Sequence, residues 1–479
     1  MSVAMEVTSG FDLYRSLTVD FCWGCTARSR DGTFPRPSSN RSDPVGSLDL
    51  DQAENPERAE VSLARQVSRH VRGTAMSTLG RTLLAILVAL ISLSAISKQV
   101  REQGVTDTEI RIGNLMPYSG NLEVFGAIGK AEAAYFEMIN ERGGINGREV
   151  RFISYDDKSN PMAALDLTRT LIEKDNVLLM FGSFGTPGNF AVRKYLNERQ
   201  IPQLFVVFGD DHLFDPSLFP WTMGWQPSFR EEGRIYANYI QASYPGRTIA
   251  ALWQNDQVGR EVIKGLEDGL GEVARMIRVD IAYDVADEHL DTHVSILKQS
   301  GAKIFVFAGT PANAAKVVRI VAELNWHPVF ILSRMSSSIA TALKPAGLEN
   351  AAGVITAAFL KDANDLAKDE QATNWQAFFD KYSRAGGKDN GAAVFGYEAA
   401  ETLVQVLKQC GNDLSRENVM KQAAALKDYQ GSALLPGIKI STGPSSFRPI
   451  KNLRLLQFDG RTWQPIGDFL ETAFSNVGK

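Results

Sequence analysis

The stretch "NERGGINGREVRFISYDDKSNP", residues 140–161, decides the fold. Gly143 and Gly144 stop a helix whose apolar residues recur at helical spacing through "AIGKAEAAYFEMINERGG". A glycine turn follows, then the strand "REVRFISYDD", then the helix "PMAALDLTRTLIEKD". Helix, turn, strand, helix is the repeating unit of a parallel sheet covered by helices. The strand ends on Asp156 and Asp157, which raises the possibility of an acid/base pair or a metal clamp. Adjacent strand residues point to opposite faces, so the two side chains cannot aim at one substrate atom. A carboxylate just ahead of a helix more naturally caps that helix or lines a crevice rim. No base or metal partner accompanies the pair, so the structural role is preferred to catalysis.

The same unit repeats on both sides. "EIRIGNLMP" precedes it, and "VLLMFGSFG", "GNFAVRKYLNERQ" and "IPQLFVVFG" continue it. The aromatic-rich "FPWTMGWQPSFREEG" interrupts the rhythm and reads as a crossing between lobes. The alternation then restarts with strands "RTIAALWQND", "RMIRVDIAYD", "KIFVFAGT" and "PVFILSR", separated by helices over 259–272, 290–300 and 312–324. Beyond "GVITAAF" come helices over 371–384, 392–410 and 415–426, then β-like "NLRLLQFDG" and "TWQPIGDF". The reading is α/β, with two parallel-sheet lobes. A ligand site is expected beyond the carboxyl ends of the strands.

With 479 residues the chain is long enough for two or three domains. Its net charge is −4 and no long basic run occurs, which argues against a nucleic-acid partner. Cys22 and Cys25 form a CxxC without the flanking strand and helix of a redox site, and no second ligand pair follows at zinc spacing. Residues 1–75 read as a disordered extension and an over-extended start. Residues 76–97 read as a signal peptide: Met76, Arg81, an apolar run from Leu83 to Leu93, then small residues through Ser97. The run is shorter than the ~20 residues of a membrane span. The exported chain would keep one cysteine, Cys410, and no internal disulfide.

Enzyme motifs come close and fail. "FGSFG" at 181–185 has Phe181 where a nucleophile elbow needs glycine. "FGAIGK" at 125–130 lacks the first P-loop glycine, and Ala131 replaces the magnesium-binding hydroxyl. "HLDTH" places His289 and His293 four apart, without the glutamate of a zinc peptidase. No catalytic residue, metal or cofactor is therefore assigned.

These segments, in this order, resemble the type I periplasmic binding proteins of branched-chain amino acid type ABC importers. The likeness runs over about residues 107–470, through "IRIGNLMPYSGNLEVFG", "AAYFEMINERGGINGREVRFISYDDKSNP", "FGSFGTPGNFAV", "IPQLFV" and "ALWQNDQVGREVIKGLED". It implies two Rossmann-like lobes joined by a three-segment hinge: 107–227 plus 360–430, and 228–359 plus 431–470. It also implies a ligand clamped between them.

Carried over, the resemblance marks Phe125 as an aromatic over the ligand, with core packing as the alternative. Phe184, Gly185 and Thr186 match the segment that holds a ligand carboxylate at a helix N-terminus, unless Thr186 only caps that helix. Phe208, Gly209 and Asp210 occupy a second contact segment that usually bears a hydroxyl. Val258, Thr310 and Arg334 fall in the contact loops of the second lobe, and "LSRMSSS" offers Arg334 where amino-acid binders carry an acid. An unpaired buried ammonium is expensive, so a carboxylate with an apolar or aromatic body is expected, with a branched-chain amino acid next. Asp210 facing inward would restore amine binding. The implied role is that of a monomeric, periplasmic, non-enzymatic binding protein delivering a small solute to an inner-membrane ABC permease. The alternative is a ligand-sensing subunit of a signalling system.

Overall fold

In the computed structural model the chain is described over residues 103–207, 209–211, 215–366, 373–382, 390–467 and 470–471. The expected extension, the signal segment, Cys22, Cys25 and Phe208 lie outside these residues. The first sheet is fully parallel and has the spatial order β2-β1-β3-β4-β5. Its strands are β1 (Glu109–Met116), β2 (Glu149–Asp156), β3 (Leu179–Phe181), β4 (Gln203–Val206) and β5 (Thr222–Gly224). Helix α1 (Ala127–Glu141) covers one face; α2 (Pro161–Glu173) and α3 (Thr186–Glu198) cover the other. Strand β5 falls inside the segment expected to be only a crossing, and at three residues it is too short to show a period.

The second sheet has the order β12-β11-β10-β9-β8-β6-β7. Strands β6 (Ile249–Gln254), β7 (Ile277–Tyr283), β8 (Ile304–Ala308), β9 (Val329–Leu332) and β10 (Ile355–Ala358) run parallel. Strands β11 (Asn452–Phe458) and β12 (Trp463–Pro465) close the edge antiparallel, and a short strand, Leu470–Glu471, also pairs with β11. Helices α4 (Phe229–Ser243) and α5 (Gln257–Leu270) pack on one face, α6 (Leu290–Gln299) and α7 (Pro311–Glu323) on the other. Helices α8 (Thr373–Lys381), α9 (Gly391–Gln409) and α10 (Arg416–Ala423) return to the first lobe, where α9 lies on α1. The described residues all fall in one compact unit.

The chain thus passes between sheets three times: after β5, after β10 and before β11. The second and third passages are stitched together. Lys361 N–H donates to the Ala433 carbonyl and Leu435 N–H to that of Phe359, both at 2.9 Å. From α9, Glu398 accepts the Ala433 N–H at 2.7 Å, and Glu401 accepts both the N–H and the hydroxyl of Ser432.

The opening motif resolves into local chemistry. Gly143, Gly144 and Gly147 all have positive φ, which glycine adopts without strain. Helix α2 is capped by Asn160, whose side chain accepts from Met162 N and Ala163 N, and not by the aspartates as expected. Asp156 instead ties down the loop after β1, accepting from Tyr118 N at 3.0 Å and the Ser119 hydroxyl at 2.6 Å. Burial pushes its carboxyl up, but these donors and Lys158 N–H outweigh that and hold it below the usual range. Asp157 is buried, and burial raises its carboxyl.

Candidate ligand cavity between the lobes

A cavity of about 210 Å³ opens between the two lobes, at the carboxyl ends of the strands. The first lobe contributes Val124, Phe125, Ile128, Phe184, Val207 and, from the start of α9, Ala392 and Phe395. The second contributes Phe229, Pro311, Arg334, Met335, Leu456 and Trp463. The passages between lobes supply Gln226 and Phe359 through Asp362. The Phe125 and Phe184 rings stack, centroids 4.9 Å apart, and both line the cavity. Polar groups are few and clustered: Ser337, Ser338, Thr341 and Thr356 lie near Arg334, while Lys361, Asp362 and Asn390 lie on the return passage.

Arg334 is the most constrained of these. Its guanidinium lies 4.4 Å from the Phe229 centroid, and its Nη2 donates to the Pro227 carbonyl at 2.8 Å. Its Nη1 is 3.1 Å from Glu232 Oε2, and its backbone N–H donates to Glu232 Oε1 at 2.8 Å. Burial lowers the Arg334 pKa while Glu232 opposes the shift; burial raises that of Glu232 while Arg334 opposes it.

Of the residues expected at the site, Phe125, Phe184 and Arg334 meet on the cavity wall, and the others described lie off it. Phe184 and Gly185 N–H groups are bonded to the Leu115 and Val207 carbonyls, so the loop does not present them to a ligand. Thr186 is the first residue of α3 and not its cap; its hydroxyl is buried without a hydrogen-bond partner. Gly209 packs on Pro227 and donates no side chain. Asp210 is buried and accepts from Gln257 Nε2 at 2.9 Å, a bond from the first lobe to α5. Val258 packs with Phe229, Val262 and Ala308. Thr310 caps α7, accepting from Asn313 N–H. The near-miss motifs also settle. Ser183 Oγ accepts from Leu115 N–H inside the first lobe. His289 precedes α6 with non-helical backbone, while His293 Nε2 is 2.9 Å from Asp287 Oδ2.

Sequence reasoning missed Glu232, Gln226, Phe359, Phe395 and Trp463. Gln226 and Glu232 both lie within the segment read as a crossing, and no local sequence signal links Glu232 to Arg334, 102 positions away.

Two parallel α/β lobes, three passages and an aromatic cavity between them define a two-lobed solute-binding protein. Residues 109–462 match the model of the periplasmic binding protein family, and the chain belongs to that family as a type I member. A Leu/Ile/Val-binding protein homolog 1 of Brucella abortus is 22% identical over 365 residues, covering 73% of this chain and 94% of the relative. A branched-chain amino acid ABC transporter structure from Thermus thermophilus, with bound valine, superposes with a TM-score of 0.68 at 17% identity, over 77% of this chain and 97% of that one. A solute-binding protein of an ABC transporter from Rhodopseudomonas palustris, in complex with 3,4-dihydroxybenzoic acid, gives 0.63 at 16% identity, over 76% and 98%. Family members bind small solutes, work with permeases outside the cytoplasm and are not typically enzymes. Among the described residues no helix is long and apolar enough to cross a membrane.

Proposed function

We infer that this protein is the extracytoplasmic solute-binding component of an ABC importer, and that its solute is a small carboxylate with an apolar or aromatic body. The observation that carries this reading is the cavity itself: aromatic rings from both lobes and the Arg334 guanidinium on one wall. Its volume of about 210 Å³ suits a small molecule, below the roughly 300–1,000 Å³ of drug-sized pockets. Closure of the lobes on the solute is the mechanism: a ligand touching both lobes stabilises the state in which both contacts exist. Export follows from a signal peptide beginning at Met76. A branched-chain amino acid is the second reading, favoured by Asp362 on the cavity wall, which offers an anion to an ammonium.

A thermal-shift screen of aromatic and aliphatic carboxylates, amides and amino acids tests the assignment. Ligand at ~100 Kd adds about 2.7 kcal/mol to the native state, an easily seen shift. Stabilisation by carboxylates that lack an amine is expected; stabilisation only by leucine-like amino acids would replace the carboxylate reading by the second one.

A further inference from the structure

Arg334, on the cavity wall, already has a counter-ion. Arg334 is 9% exposed, and Glu232 behind it on α4 is fully buried and absent from the cavity wall. The pair is formally neutral, and the other two charged residues on the wall, Lys361 and Asp362, cancel in formal charge. A carboxylate solute reaching Arg334 would therefore set two anions against one guanidinium, one of them the fully buried Glu232. Buried excess charge of that kind is relieved most readily by protonation.

Resting on the carboxylate reading above, we propose that Glu232 is a placeholder counter-ion: the solute carboxylate draws the Arg334 guanidinium away from Glu232, and Glu232 takes up one proton from solvent at Oε2, the oxygen that Nη1 leaves. The ledger balances. Before binding, the solute anion is in water and the pair is Arg334⁺/Glu232⁻; afterwards the pair is Arg334⁺/solute⁻ with Glu232 neutral. Oε2 is the acceptor because Oε1 is engaged, by Arg334 N–H at 2.8 Å and the Tyr236 hydroxyl at 2.9 Å, whereas Oε2 has no hydrogen bond.

The groups facing Glu232 are consistent with this exchange. From the loop after β9 it meets Arg334; from α4, Tyr236, whose hydroxyl also contacts the Leu332 carbonyl and accepts from Ala357 N–H on β10. Its neighbour Glu231 is held separately, by Ser228 N–H and by Arg448, which also reaches Asp211. Arg334 is thus the cation Glu232 touches directly. Burial already raises the Glu232 carboxyl, and Arg334 is the first force opposing it. A solute that diverts Arg334 removes that opposition.

The test is calorimetric titration with benzoate and 4-methylpentanoate, and with benzamide as the uncharged comparison. It is run in buffers of different ionisation enthalpy between about pH 6 and pH 9. Wherever Glu232 is ionised in the unliganded protein, carboxylate binding should take up about one proton and weaken about tenfold per pH unit. Benzamide should show neither effect, and Glu232→Gln should bind the acids without proton uptake and without that slope. Carboxylate binding with no uptake across the range would overturn the exchange while leaving the carboxylate reading standing. If neither acid binds at any pH, the carboxylate reading falls and the exchange with it. Should the variant fail to fold, the contrast between benzoate and benzamide in the native protein still decides.

Discussion

A single arginine shows what can and cannot be read from residues alone. The resemblance pointed to Arg334, Phe125 and Phe184, and all three lie on the cavity wall, in loops beyond strand ends where parallel sheets keep their ligand groups. Its partner was not: Glu232 lies 102 positions away on a helix of the same lobe, and no local period links the two. The polar groups assigned to the loops after β4 and β8 turned inward to structural work, Asp210 to Gln257 and Thr310 to a helix cap. Whether such a side chain faces the ligand or its own fold depends on neighbours that sequence spacing does not reveal.

Removing Arg334 tests both of its jobs. Arg334→Ala should abolish binding of any carboxylate the screen identifies; unchanged affinity would remove Arg334 from the site. It also leaves Glu232 buried without its cation, so urea unfolding at neutral pH should show a loss of about 3–5 kcal/mol. The sign of the pH dependence follows. In the variant the folded state raises the Glu232 pKa further above its unfolded value, so it retains a proton that the unfolded chain releases. The loss should shrink as pH falls toward the ordinary carboxylate range, and a deficit constant with pH would contradict that account.

At the scale of elements, helices and strands with many periodic residues were legible and short ones were not. The three residues of β5 carry no pattern, and its neighbours had been read as a crossing. Cap chemistry was misplaced by three residues, because Asn160 and the aspartates before it are all good caps and only geometry chooses among them. The α4/α5 pair shows a subtler device. A Cβ at Gly233 would come 2.1 Å from the Val262 carbonyl oxygen, and one at Gly265 would come 2.0 Å from that of Arg230. These two glycines let the backbones of α4 and α5 touch. Gly265→Ala must push the helices apart, and overpacking of this kind costs about 1–3 kcal/mol in denaturant unfolding. A variant as stable as the native protein would show that the pair tolerates separation.

At the scale of the molecule, the two lobes were readable from the repeated strand–helix rhythm, and the resemblance supplied the hinge that rhythm alone does not. The passages joining the lobes are few, and two of them are stitched to each other, so the lobes are expected to move as rigid bodies about that strip. Small-angle scattering should show a smaller radius of gyration on saturation with a ligand found by the screen. Unaltered scattering would mean that the solute enters without lobe movement. The threading of the chain has one more consequence. Strand β10 pairs with β11, and α1 packs on α9 so closely that a Cβ at Gly396 would lie 2.3 Å from the Ile128 carbonyl oxygen. Each lobe therefore waits for residues made long after its own first strands. Such long-range closure is slow, so each lobe keeps an open seam until the chain has returned to it.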